Sequence, residues 1–255
     1  MNEKKTSTYI LISFIFLLGC ENEKEKTRLT IYAAAGTRLA ASEICDSFEV
    51  ESKRKVTRNY ASSGILARQV FQGGKADLFI SANGEWVKFL LANDLLVDTP
   101  VMILAKNKLV LVAPVHKQID TIVFHPSFDI AATVQNKIAI GDPAHVPVGK
   151  YAKAFLDSLG WYHQLQRDII MANDVAGVLR YVEMGECDWG IVYFTEAKHS
   201  GKVKIVSEIP AALYPPVLFY IGRVKEGKKE SGNLLDYFLG KNGERILREH
   251  GFDPI

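Results

Sequence analysis

Four short stretches of this 255-residue chain put small residues where a strand pattern gives way to a helix pattern: Ala35-Gly36-Thr37, Ala61-Ser62-Ser63-Gly64, Val146-Pro147-Val148-Gly149 and Asn173-Asp174-Val175. A helix start has backbone N–H groups with no partner inside the helix and lies at the positive end of the helix dipole, so its ready chemistry is anion binding. In the third stretch Pro147 has no N–H, and the free donors begin at Val148. Small side chains let a ligand come close to the backbone. A single such junction is more readily a self-capped helix, with Ser62, Ser63 or Asp174 as its cap. Four together favour a site for a small anion. That site is not a nucleotide loop, because in "GDPAHVPVGKYAKAF" (141–155) Ala144 stands where a Walker loop needs its first glycine, and Tyr151 follows Lys150.

Catalytic chemistry is not signalled. The chain has no Gly-x-Ser-x-Gly nucleophile elbow and no His-Glu-x-x-His zinc motif. The histidines, His116, His125, His145, His163, His199 and His250, show no metal-ligand spacing. His145 alone adjoins the candidate site, and it reads as a loop histidine bonded to its surroundings. Neither an enzyme nor a bound cofactor is expected. Cysteines number three, Cys20, Cys45 and Cys187, too few for a disulfide scaffold or a metal cluster. Cys45 lies in an apolar helical pattern, so Cys45 and Cys187 are expected as buried free thiols.

The elements that must position these junctions alternate between strand and helix periodicity, the signature of an α/β architecture. Strands are expected at "RLTIYAAA", "KVTRNYAS", "ADLFISAN", "LVLVAP", "KIAIGDP", "WGIVYF", "VKIVSEIP" and "PVLFYIGR". Helices are expected at "LAASEICDSFEVES", with Leu39, Ile44, Cys45 and Phe48 on or near one face, at "GILARQVFQGG", "EWVKFLLANDLL", residues 149–159 and "VAGVLRYVEMGE", and as one long stretch from Leu234 to His250. In open α/β sheets the loops after the strands gather at one edge, where ligands bind.

The N-terminus gives an address. Lys4 and Lys5 precede an apolar run from Tyr9 to Leu18, too short to span a bilayer comfortably, and the run ends in Leu17-Leu18-Gly19-Cys20. Residues 1–19 read as a signal peptide. The ending resembles the bacterial lipobox, in which the cysteine is acylated, so Cys20 is the expected lipidation site and residues 20–27 a polar tether. The protein is then expected in the periplasm or at the cell surface, held to the membrane by its N-terminal lipid only. Removal of Glu3, Lys4 and Lys5 with the signal lowers the formal charge from +2 to +1, and near-neutrality argues against a nucleic-acid partner.

The stretches "YAAAG", "YASSGILARQVFQGGKADLFISAN", "LVLVAP", "IAIGDPAHVPVGKYAKAFLDSLG", "NDVAGVLRYVEMGECDWGIVY" and "GERILREHGF" resemble, in order and from about Leu29 to Phe252, the periplasmic molybdate-binding proteins of ABC transporters. The resemblance implies a type II periplasmic-binding fold, two α/β lobes joined by a hinge, with 28–105 and 217–255 in lobe 1 and 106–216 in lobe 2. It implies a monomer that closes on a tetrahedral oxyanion, molybdate and with it tungstate, and delivers it to an ABC permease and its ATPase. The ligand groups it implies are the hydroxyl and N–H of Ser63, the N–H groups of Val148 and Val175, and the phenol of Tyr193. One position departs. Where the family's first loop reads Ala-Ala-Ala-Ser, this chain has Ala33-Ala34-Ala35-Gly36, followed by Thr37 and Arg38. Gly36 keeps its N–H but lacks the hydroxyl, a charge-assisted bond worth about 1.5–3 kcal/mol unless Thr37 supplies it. Arg38 reads as a solvated helix residue, or else as a charge that would suit another oxyanion such as sulfate or phosphate. A tethered oxyanion sensor using the same pocket is the remaining alternative.

Overall fold

The computed structural model describes residues 28–97, 101–118, 122–134 and 136–255; Cys20, the signal and the tether to Thr27 lie outside them. Two sheets result. In the first, β1 (Leu29–Ala34) lies between β2 (Val56–Ala61) and β3 (Leu78–Ser81), parallel to both, and β10 (Val217–Arg223) runs antiparallel between β3 and β4 (Met102–Asn107), with β11 (Asp253–Pro254) at the edge. In the second, β6 (Ile138–Gly141) lies parallel between β7 (Ile169–Ala172) and β8 (Trp189–Tyr193), followed by β5 (Leu109–Pro114) and β9 (Val203–Glu208).

Two lobes follow from this, and the chain crosses between them twice. The first crossing is at Lys108, between β4 and β5, and the second is the segment between Glu208 and Val217. In each sheet one strand has its sequence successor on one side and a later strand on the other: β1 in lobe 1 and β6 in lobe 2. Such a switch point leaves a crevice beyond the carboxyl end of the strand, because the loops leave it in opposite directions.

The helices cover the sheets for the reasons their sequences give. In α1 (Arg38–Ser52), Ala40, Ala41, Ile44, Cys45 and Phe48 are buried. Leu39, expected near that face, is 41% exposed, since it lies to one side of the stripe. Next come α2 (Ser63–Phe71), α3 (Gly84–Ala92), a short α4 (Ile130–Thr133), α5 (Pro147–Ser158), a short α6 (Trp161–Gln164), α7 (Val175–Glu183) and a short α8 (Phe194–Lys198). The expected long C-terminal helix is two, α9 (Ser231–Leu239) and α10 (Lys241–Glu249), because Gly240 is extended at φ −84°, ψ 174°. A Cβ on the nearby Gly243 would sit 2.2 Å from the Phe238 carbonyl oxygen, so the two helices meet through backbone that only glycine allows.

Two strands had no periodic signal. β7 is a half-buried edge strand, and β4 has two exposed apolar residues, Met102 and Ile103, at its start. Cys45 and Cys187 are free and buried, and burial holds both thiols above their ordinary range, to about 12 and about 11.

Candidate functional site

The carboxyl ends of β1 and β6 face each other, and the loops after them line a small cavity, about 10 Å³, with Ala34, Ala35, Gly36, Ser62, Ser63 and Ala82 on the side of lobe 1 and Val146, Pro147, Val148, Asp174, Val175 and Tyr193 on the side of lobe 2. All four junctions read from the sequence thus meet in one place. Three helices, α2, α5 and α7, start there.

Each of these starts keeps its first N–H groups free. In α5, Pro147 has none, while Gly149 and Lys150 both donate to the Val146 carbonyl at 3.0 and 3.2 Å, so Val148 holds the unspent donor. No side chain caps this helix. In α7, Asp174 caps the N–H of Gly177 at 2.8 Å, and Val178 returns to the Asp174 carbonyl, which leaves Val175 and Ala176. In α2, Ser62 caps Ile65 and Leu66 returns to the Ser62 carbonyl, which leaves Ser63 and Gly64. Asp174 and Ser62 are therefore caps, as their residue types favour, and the free N–H groups sit just after them.

Two hydroxyl groups complete the donor set. Ser63 is fully buried, and its Oγ accepts the N–H of Ala82 at 3.0 Å. That bond fixes the oxygen and leaves the proton free to be donated. Tyr193 is 1% exposed, and its Oη makes no hydrogen bond within the protein. Burial, with smaller contributions from Tyr151 and Glu196, holds the phenol well above its ordinary range, so it is a protonated donor at any physiological pH. The ring is gripped from the other lobe: Phe219 stands 5.3 Å away, edge to face, and is backed by Phe252.

The first loop is where the geometry corrects the sequence reading. Thr37 does not replace the missing hydroxyl, because its Oγ1 donates to the Ala34 carbonyl at 2.8 Å and it is not among the residues lining the cavity. Gly36 does line it. A Cβ there would meet the Tyr193 ring at 3.0 and 3.2 Å, so a serine would press on the ring that carries the phenol. Arg38 is exposed and outside the lining; its charge acts on Glu196, one turn beyond Tyr193. Burial raises the Glu196 carboxyl to about 7 against the pull of Arg38, and Asp174 and Glu183 add to the rise. His145 lies 3.4 Å from the Asp142 carboxylate, a loop contact with no catalytic partner. Ala82, which holds Ser63, carried no side-chain signal in the sequence.

A larger cleft, about 680 Å³, opens at the opposite, amino ends of β1 and β3. Of the charged groups that line it, the Asp77 carboxylate is occupied within the fold, accepting the N–H groups of Thr30 and Lys228 at 2.6 Å each. Among the described residues no cluster of His, Cys, Asp and Glu is arranged to hold a metal ion.

The cavity can thus present neutral dipoles to an anion: N–H groups from both lobes, a serine hydroxyl and a phenol. Because Val148 contributes its backbone, Val148→Ala should change anion affinity less than about twofold, while loss of its buried methyl groups lowers stability by about 1–3 kcal/mol. Calorimetric titration beside a denaturant melt separates the two.

The sequence pattern of the family described as bacterial extracellular solute-binding protein matches residues 29–253. The molybdate-binding protein ModA of Haemophilus influenzae is 33% identical over 97% of each chain. ModA of Escherichia coli is 33% identical over 89% of this chain and 90% of its own. The same fold is seen in the solved structure of the periplasmic molybdate-binding protein of Azotobacter vinelandii, which superposes with a TM-score of 0.77 at 21% identity, covering 88% of this chain and 98% of that one. The architecture is that of the two-lobed periplasmic binding proteins, and the relatives are binding proteins and not enzymes. On these matches, the chain belongs to the bacterial extracellular solute-binding protein family, among relatives named molybdate-binding proteins.

Proposed function

We propose that this protein is an extracytoplasmic lipoprotein, anchored through Cys20, that captures a tetrahedral oxyanion between its lobes and delivers it to the permease and ATPase of an ABC importer. Molybdate is the ligand proposed, with tungstate as an equal. The observation that carries this reading is the Tyr193 phenol, buried without a partner at a cavity that Ser63, Val148 and Val175 also line. A buried hydroxyl without an acceptor costs free energy, and an anion in the cavity removes that cost. The names of the relatives point to the same anion.

Selectivity follows from size and donor geometry, since the cavity offers no formal positive charge of its own. Molybdate and tungstate are close in size, and both should bind tightly; the smaller sulfate and phosphate reach fewer donors at once and should bind weakly. Calorimetric titration of the soluble domain with all four anions is the test. Preference for sulfate or phosphate over molybdate would overturn the reading and turn attention to Gly36, where a hydroxyl donor is missing.

A further inference from the structure

Away from the cavity lining, one charged pair ties the lobes together. Lys150 stands in the first turn of α5, two residues after Val148, and its ammonium pairs with the carboxylate of Glu85 in the first turn of α3. The helices belong to opposite lobes. The same ammonium lies 5.7 Å from the centre of the Trp86 ring, which the Arg68 guanidinium faces at 5.2 Å. The next residue, Tyr151, donates its phenol to the carbonyl of Ala82 at 3.3 Å, again across the lobes, and the N–H of Ala82 is the group that fixes Ser63 Oγ. The contact between α5 and the α3 region is thus built into the same few residues that aim the site.

We propose that Lys150 is a positioning residue that latches the closed lobes through Glu85 and Trp86 and so sets how long a captured anion stays. This rests on reading the cavity as the ligand site. A contact that exists only with the lobes closed adds its whole free energy to the closed state, and a ligand that needs closure gains that much in affinity. Lys150 does this without touching the anion. Paired with Glu85, it brings no net charge to a cavity built from neutral dipoles. An ion pair whose side chains are 27% and 58% exposed and a cation–π contact at this distance each correspond to about two- to fivefold in an equilibrium constant.

The test is the release of molybdate, followed by tryptophan fluorescence in stopped flow, for wild type, Lys150→Met, Glu85→Gln and the charge swap Lys150→Glu with Glu85→Lys. Glu85→Gln should speed release about two- to fivefold and Lys150→Met about three- to tenfold, with association nearly unchanged. The swap should recover part of the loss. Raising the salt from 0.05 to 0.5 M should speed release from wild type more than from either single variant. Release at the wild-type rate from both single variants overturns the latch and leaves the site intact. If wild type itself takes up no molybdate, the ligand reading falls, and small-angle scattering without added anion decides the latch: Lys150→Met must then show the larger radius of gyration, and an unchanged radius overturns it.

Discussion

Tyr193→Phe is expected to make the anion-free protein more stable by about 1 kcal/mol while weakening molybdate binding about ten- to a hundredfold. The two effects have one origin. Tyr193 Oη is buried and unpartnered in the protein, a condition that costs about 1–3 kcal/mol, and phenylalanine removes it without changing the ring that packs on Phe219. With the dianion in place the same hydroxyl becomes a charge-assisted donor, worth about 1.5–3 kcal/mol, and its loss is read as affinity. Because burial keeps the phenol protonated far above neutrality, the loss should be the same from pH 6 to 9. Ser63→Ala gives the contrast. Its Oγ accepts the Ala82 N–H, so deletion strands a buried donor, and stability and affinity should fall together. Thermal unfolding without anion and calorimetry with molybdate measure both. If Tyr193→Phe binds molybdate like wild type, the phenol is not a ligand and the site assignment fails.

The second large effect is expected from Gly149→Ala. A Cβ at Gly149 would lie 1.9 Å from the carbonyl oxygen of Gly141 and 2.4 Å from its carbon, both backbone atoms of β6 and its loop. No rotamer change relieves a clash between backbones, so α5 must slide away from the strand. The cost in stability should reach or exceed the ~1–3 kcal/mol typical of an overpacked core. Affinity should drop more than tenfold, because the sliding helix takes the Val148 N–H with it. Gly232→Ala is the control: a Cβ there meets nothing within 4 Å, and in α9 alanine should be neutral or slightly stabilising. The midpoint of denaturant unfolding reads the first effect and titration the second. A Gly149→Ala protein as stable as wild type would mean that the close approach of α5 to β6 is not needed.

Much of this could be read before the fold was known. Helix starts advertise themselves through local rules: Pro147 at the first position of α5, Ser62 and Asp174 as caps, small residues beside them. These depend on neighbours within four positions, so the sequence carries them openly. The alternation of strands and helices gave the α/β class for the same reason. Elements with weak local signals escaped, namely β4, whose first residues are exposed, β7 at a sheet edge, and the break at Gly240, where a helical pattern runs on across a residue that the packing of α9 on α10 holds extended.

What the chain determined by itself, then, is where helix starts have donors to spare, the backbone of Val148 after a proline and that of Val175 beside an aspartate cap, while the hydroxyls of Ser63 and Tyr193 were singled out only through the family resemblance. What only the tertiary structure decided is which of those donors remain unspent and come together at one cavity. Ser63 is poised because Ala82, nineteen residues on, takes its lone pair; Thr37 is withdrawn because Ala34 takes its proton; Tyr193 is left waiting because Phe219 and Gly36, from the other lobe, pack its ring and offer its hydroxyl nothing. Hydrogen-bond satisfaction is a property of neighbours in space, and here those neighbours come from both lobes of a chain that crosses between its sheets twice.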